Sequence, residues 1–468
     1  MAEAVTATGV VLDPARPESW SDQGFEALYD ISWRDCLEAQ AEALRLRFQK
    51  MSGQLPAMDK LASKEGITKI DGIEDALPLM FDHRVFKNYP LSLIETRNIP
   101  KLHAWLGRLT THDLSGMDLD GLPTIEAWLD RLDQFGMIVT TSSGTTGKLS
   151  FIPRSRTEYP AWERSYMLAL HASLGVDPYT DKIETFSPSY RGGHQTALKV
   201  QMMFNIFAAG GAEHYHTLYH THMSADLMSL AGRMQAAEDR GELDRLGLDP
   251  ALLSARQEMI ELARRRPQDL ADWFEALFEG YRGKRVKISG LGGDLLRTAI
   301  DGSSKGIKPT FAPGSIAFYG GGLKGFKHDL PDWEAYVCEF FGMERLGTCY
   351  GMSEVISQSP RCSLGNYHIM PMVVPVLFDA DMNPLPRESC QTGRFGFFDL
   401  LAQTYWGGFI SGDEVTIHWE EDCACGWKQP FVGPAISRYA DKDGGDDKIT
   451  CAGTAKAYDD FLSFVSEG

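Results

Sequence analysis

The sequence predicts an α/β fold of β-sheets flanked by helices, with at least one mostly parallel sheet. From residue 286 onward, strand-like and helix-like runs alternate: Val286–Ser289, Ser315–Tyr319, a helix over Asp332–Phe341 and a strand over Arg345–Tyr350. Two apolar runs end in glycine-rich loops, VTTSSGTTGKLS at 139–150 and GGGLKG at 320–325, which is where open α/β sheets place ligands. The 468 residues, 43% of them apolar and 24% charged, exceed one ordinary core and have the balance of a soluble globular protein.

Residues 1 to about 20 read as a mobile leader without a basic start or a long apolar segment. Between Trp20 and Lys60 apolar residues recur at helical intervals (Phe25, Leu28, Ile31, then Leu37, Ala41, Leu44, Phe48), predicting amphipathic helices. A short helix and an aromatic-rich linker follow over Ile73–Leu93, then a helix over Ile125–Phe135 and the apolar strand end Met137–Val139. Past the first glycine loop, Tyr159–Leu174 has helical spacing and Ile183–Pro188 reads as a strand, with Ser189–His194 as a turn leading into an apolar helix, Leu198–Ala209. Tyr190, Arg191 and His194 in that turn are candidate substrate contacts. His214, His216, His220 and His222 alternate through the next stretch, a pattern that serves a strand face as well as a metal. Residues 225–277 are charged and helical.

A formal charge of −18 argues against a nucleic-acid partner, which needs a basic face. No apolar run approaches the ~20 residues that span a bilayer. Eight cysteines in a chain of this length do not suggest a disulfide framework, so a cytoplasmic setting is expected and attention shifts to metal binding.

Hydroxyls and glycines in Ser142–Lys148 can gather backbone N–H groups around a polyanion, a triphosphate being the natural guest. The spacing is not that of a Walker loop, because Gly144 and Gly147 are too close and Leu149 follows the lysine. The stretch resembles the phosphate loop of the acyl-adenylate-forming superfamily of acyl-CoA ligases, amino-acid-activating domains and luciferases. Gly347-Thr-Cys-Tyr350-Gly-Met-Ser353-Glu354 is similar to that superfamily's YGxTE motif, and Ser411-Gly412-Asp413 to its (T/S)GD element. Gly433–Arg438 with Asp446–Gly453 resembles the hinge segment between its two domains, leaving Asp441 and Asp447 as alternatives for the hinge position. The closest patterns are phenylacetate-CoA-ligase-like proteins and bacterial acyl-protein synthetases.

The resemblance implies ATP-dependent activation of a carboxylic acid or similar oxyacid, with Mg²⁺ and release of pyrophosphate, then transfer to a thiol (CoA or a carrier protein) or an amine. It implies Lys148, Ser353 and Glu354 as catalytic, with Glu354 on magnesium. Ser142, Ser143, Gly144, Thr145, Thr146, Gly147, Gly320, Gly321, Gly322, Tyr350, Asp413 and Arg438 would hold the nucleotide, and Gly351 and Met352 would border the acid. The expected organisation is a helical lead over 1–130, an adenylation core over 131–435, and a hinge with a truncated or minimal small domain over 436–468. Family members usually continue roughly 100 residues past the hinge, an ordinary size for a small domain. A homodimer is compatible with all of this.

Cys362, His368, Cys423 and Cys425 form a Cys₃His set suited to a closed, structural tetrahedral zinc site. Similar segments occur in phenylacetate-CoA-ligase-like sequences. Cys349 and Cys451 read as buried thiols, with a nucleophilic role as the alternative. Two other functions stay open: a catalytically weakened nucleotide-binding subunit, and a zinc-dependent hydrolase centred on His214–His222.

Overall fold

A computed structural model describes residues 4–6, 9–82, 84–142, 148–239, 241, 250–323, 326–439 and 455–466. The chain forms two compact units. The first comprises residues 1–140, 150–168 and 350–468; the second comprises 141–149 and 169–349. These units interleave along the chain, so the segment expected as one adenylation core contributes to both.

The first unit is built on a seven-stranded sheet whose main path runs Tyr367–His368, Phe431–Val432, Gly408–His418, Cys390–Asp399, Val373–Phe378, all antiparallel. Ser437–Arg438 and Phe81–Asp82 also pair with Gly408–His418. Helices of the N-terminal part cover it. The longest, Trp33–Met51, starts where Ser32 and Asp35 form a reciprocal capping box. It delivers Arg47 to the interior, where the guanidinium donates to the carbonyls of Asp399 (2.5 Å) and Leu400. The expected mobile leader is instead packed: Leu12 and Trp20 are fully buried, and the Trp20 indole donates to the Asp13 carbonyl at 2.8 Å. The reason is that a short Ala4–Val5/Val11–Leu12 pair and the turn Pro17–Gln23 fold these few apolar side chains inward.

The second unit is an all-parallel five-stranded sheet in the order Leu346–Gly347, Ile316–Gly320, Lys287–Leu291, Thr185–Gly193, Tyr215–Met223. Consecutive strands depart to opposite sides of Thr185–Gly193, which creates a switch point outside the carboxyl ends of the strands. The expected turn at 189–194 is strand through Gly193, because the neighbouring strand offers it a ladder: Tyr190 pairs with Tyr219, Gly192 with His222 and Gly193 with Met223. Helix Pro250–Gly280 and helices Gly292–Ser304 and Trp333–Phe341 contribute Phe274, Leu295 and Phe341 to the core beside the sheet.

Candidate functional site

In the first unit, the strand Gly408–His418 carries Asp413 at a bulge. Arg394 pairs with Glu414 and Gly396 with Ile410, so Ser411, Gly412 and Asp413 together oppose Phe395. Ser411 Oγ donates to the Phe395 carbonyl at 2.8 Å and accepts from the Asp413 amide at 3.1 Å, which fixes the bulge. Gly412–Asp413 is therefore strand, and the bulge is what re-aims the carboxylate. Tyr350 donates its hydroxyl to Asp413 Oδ2 at 2.8 Å, and Arg438, opposite Asp413 in the ladder, brings Nε to 3.7 Å from Oδ1. Burial, followed by the facing Asp413, pushes the Tyr350 phenol well above its ordinary pKa, so it stays a donor.

Gly351, Met352 and Ser353 lead from Tyr350 to Glu354, which is buried. A side chain at Gly351 would put Cβ 2.5 Å from Gln358 Oε1, so the Gln358 amide would have to move to admit one. Burial raises the Glu354 carboxyl pKa, and the Arg154 guanidinium opposes that rise. Arg154, itself fully buried, donates from Nη2 to the Ser353 carbonyl at 3.2 Å and lies over the rings of Tyr405 (4.6 Å) and Trp162 (5.8 Å). Tyr405 donates its hydroxyl to the Glu354 carbonyl. Asp399 accepts from the amides of Ile356 (2.5 Å) and Leu401 (3.0 Å), holding the chain just past Glu354. Glu158 accepts from the amides of Ser155 (2.6 Å), Gln403 (2.5 Å) and Thr404 (3.0 Å). Two neighbouring carbonyls of the motif are thus anchored from behind by one cation and one phenol. Sequence reasoning missed Arg154 and Tyr405; a lone arginine in the otherwise buried strand Phe151–Ser155 was the available signal.

In the second unit, Ser142 and Lys148 are half-buried at the two ends of the first glycine loop, while Ser143, Gly144, Thr145, Thr146 and Gly147 lie outside the described residues. Thr141 is fixed by its amide to the His194 carbonyl at 2.7 Å and by Thr196 Oγ1 to its own carbonyl at 3.2 Å. His194 is buried. Arg191 donates to the carbonyls of Tyr215 (2.6 Å) and Ala212 (2.9 Å), and Tyr190 lies 4.9 Å from the Tyr219 ring. Gly320 ends its strand and is followed by Gly321 and Gly322 at φ +68° and +56°, a left-handed pair that only glycine adopts cheaply. Helix Gly292–Ser304 abuts this loop so closely that a Cβ at Gly292 would meet the Gly322 carbonyl at 3.0 Å. Burial pushes the Cys349 thiol up to about 12, away from the thiolate form; Cys451, Asp441 and Asp447 lie outside the described residues. His214 and His216 hydrogen-bond Glu184 at 3.1 and 2.6 Å, and among the described residues the alternating histidines join no cluster of three close donors.

Cys362, His368, Cys423 and Cys425 come together in the first unit, their ligand atoms all within 4.8 Å of one another. Two turns build the set. The Gly365 amide bonds the Cys362 carbonyl (3.1 Å) and the Gly426 amide the Cys423 carbonyl (2.9 Å), each glycine at positive φ. The pairing of His368 with Phe431 sets one turn beside the other. Cys362 and Cys423 sulfurs are 4.0 Å apart, too far for a disulfide and near the ~3.8 Å between two thiolates on tetrahedral zinc at ~2.3 Å each. Cys425 Sγ is 3.3 Å from His368 Nε2. Trp427 packs against the His368 ring at 4.8 Å, and Asn366 donates to Cys423 Sγ at 3.3 Å. These residues fit a closed metal site.

Among solved structures, the chain is similar to the open conformation of 2-hydroxyisobutyryl-CoA ligase in complex with 2-HIB-AMP and CoA. The identity is 11%, the match covers 86% of this chain and 76% of that one, and the TM-score is 0.50. The fold is the adenylate-forming one. Partial matches to this fold include ATP-bound MatB from Rhodopseudomonas palustris, at 14% identity over 63% of this chain and 46% of that one with a TM-score of 0.33. McyG A-PCP complexed with phenylalanyl-adenylate matches at 11% identity over 64% of this chain and 49% of that one, with a TM-score of 0.37. The chain spans about half the length of these two proteins. No family model and no curated protein matches the sequence. Within the adenylate-forming fold, the α/β expectation holds. Among the described residues no helix is long and apolar enough to cross a membrane.

Proposed function

We propose that this chain is an AMP-forming ligase: it condenses a carboxylic acid or similar oxyacid with Mg·ATP, expels pyrophosphate, and hands the resulting acyl-adenylate to a thiol or amine. The observation that carries this reading is the Tyr350–Glu354 turn, whose Ser353 and Glu354 carbonyls are tied down by Arg154 and Tyr405 in a chain of adenylate-forming fold. A buried carboxylate on a fixed backbone suits a magnesium ligand, because its position costs no reorganisation when charge grows on the leaving phosphates. Magnesium would supply neutralisation of that charge.

The remaining roles follow from residue chemistry. Lys148 and the Ser142–Gly147 loop grip the phosphates, Ser353 offers a hydroxyl to phosphate or carboxylate, and Gly320–Gly322 with Tyr350 border the adenine. Asp413 and Arg438 take the ribose; Asp413 releases Tyr350 or Arg438 as it accepts the vicinal hydroxyls. Tyr190, His194, Gly351 and Met352 border the acid, and Arg191, already committed to two carbonyls, supports the strand that presents Tyr190. Cys362, His368, Cys423 and Cys425 hold a structural zinc ion. The acceptor is CoA, a carrier-protein thiol or an amine, the setting is cytoplasmic, and a homodimer is compatible.

Acid-dependent ATP–pyrophosphate exchange tests the proposal across a panel of aryl and aliphatic acids. The wild type is expected to exchange with at least one acid, and Glu354→Gln to lose roughly 10²- to 10³-fold in kcat, the scale of one transition-state electrostatic contact. Nucleotide binding without exchange for any acid would sink the reading and favour a weakened nucleotide-binding subunit.

A further inference from the structure

A cavity of about 440 Å³ opens at the carboxyl ends of the neighbouring strands Lys287–Leu291 and Ile316–Gly320, and all the residues that line it belong to the second unit. It is within the usual size range of small-ligand sites. One wall is the start of helix Gly292–Ser304; the other is Leu323, Phe326 and Lys327, just past the second glycine loop. Gly293 lets the two walls meet, since a Cβ there would sit 2.7 Å from the Leu323 carbonyl. The helix begins after Leu291 with no side chain capping its first turn, and Gly293 and Asp294 of that turn line the cavity. A first turn carries amides that the helix itself does not satisfy, and it is the positive end of the helix dipole. Asp294 is already neutralised: Arg266 donates to its Oδ2 at 2.7 Å while also donating to the Pro188 carbonyl at 3.1 Å. Arg297, a turn further along the helix, lies over the Phe326 ring at 4.8 Å, and Lys327 is exposed. Among the described residues neither Arg297 nor Lys327 is ion-paired.

We propose that this cavity is a binding site for a small phosphate monoester carried on an apolar or aromatic body. Two cations and a helix start match a group that bears close to two charges and three acceptor oxygens at neutral pH, and they exceed what a carboxylate can use. The Arg297 guanidinium can pair with two phosphate oxygens at once, while the Lys327 ammonium serves as a point charge at the rim. Leu291, Leu323 and Phe326 give the body apolar surface to cover. The site stands on residues of the second unit alone and does not rest on the adenylation reading.

Calorimetric titration of the purified chain with phenyl phosphate, inorganic phosphate, benzoate and phenol tests this. Phenyl phosphate is expected to bind roughly tenfold or more tighter than inorganic phosphate, the scale of burying part of one ring, and phenol, which lacks the charge, to show no measurable binding. Arg297→Gln should weaken phenyl phosphate roughly tenfold or more, and Lys327→Ala, at an exposed position, by a smaller factor. Lys148→Ala should leave that affinity unchanged, because Lys148 flanks the other glycine loop. No binding to the wild type, or an affinity unchanged in Arg297→Gln, overturns the proposal. So does binding lost in Lys148→Ala, which would assign the phosphate to the loop at 142–148. Benzoate or inorganic phosphate binding as tightly as phenyl phosphate overturns the ligand class. Should Arg297→Gln fail to fold, Lys327→Ala decides: weakened binding sustains the site, and unchanged binding overturns it.

Discussion

Arg154 lies with no exposed surface behind the Ser353–Glu354 turn, its guanidinium against the Tyr405 ring and its Nη2 on the Ser353 carbonyl. Neither it nor Tyr405 lies in a glycine loop or in the Tyr350–Glu354 motif, yet both hold the backbone that carries Glu354. Tyr405→Phe keeps the ring under Arg154 and removes only the hydrogen bond to the Glu354 carbonyl. Such a bond stabilises by about 0.5–1.5 kcal/mol, so the fold should survive. The exchange kcat should fall roughly tenfold with little change in KM for ATP, because the interaction matters most when charge develops. A changed KM with an intact kcat would refute this positioning role.

A second residue, Lys287, is fully enclosed in the parallel sheet, where burial lowers its pKa to about 7 and Asn205 Oδ1 accepts its proton at 2.7 Å. Below pH 7 both states carry the charge and the folded one bears the full desolvation cost, on the order of 5 kcal/mol for the fall from 10.5 to about 7. Between pH about 7 and about 10.5 the unfolded chain binds one more proton than the folded one, so stability rises with pH across that window. Urea unfolding of wild type against Lys287→Met should show that rise only in the wild type; parallel profiles would refute it.

At the scale of elements, two features depend on strands that meet only in the fold. The bulge over Ser411–Asp413 turns an ordinary ladder into a support for one carboxylate, and it exists because Cys390–Asp399 offers a single residue, Phe395, opposite three. The paired glycine turns at 362–366 and 423–426 bring the Cys₃His set together across the edge of the same sheet. Metal analysis of the purified wild type should find close to one zinc per chain, with loss in Cys425→Ser and His368→Ala. A structural zinc contributes ~10–16 kcal/mol in finger peptides, and even a fraction of that is felt in a large unit. Chelation should therefore lower the midpoint of thermal unfolding by on the order of 5 °C. Zinc-free wild type of unchanged midpoint would leave the four residues as packed thiols and an imidazole.

At the scale of the whole molecule, each unit carries its own share of the proposed roles: Lys148 and Gly320–Gly322 lie in one, and Tyr350, Glu354 and Asp413 in the other. If both sets act on one transition state, joining Lys148→Ala to Glu354→Gln should leave exchange little slower than the worse single variant, as residues that work as a unit are not additive. Additive losses would mean that the two residues serve separate steps.

The sequence alone determined what local chemistry writes into a short stretch: the helix over Tyr159–Leu174, the strand that ends in Gly320–Gly322, the alternating histidines laid along Tyr215–Met223, and the Cys₃His donors. Each is legible because periodicity, glycine and thiol chemistry act over a few residues. Tertiary structure decided the rest. Trp20 turned inward, residues 189–193 became strand, Gly412–Asp413 became a bulge, and Arg154 and Tyr405 acquired their neighbours from segments distant in the chain. Hydrogen-bond ladders and desolvation depend on which segments pack together, and the partner of a buried charge is set by the fold, not by its neighbours in sequence.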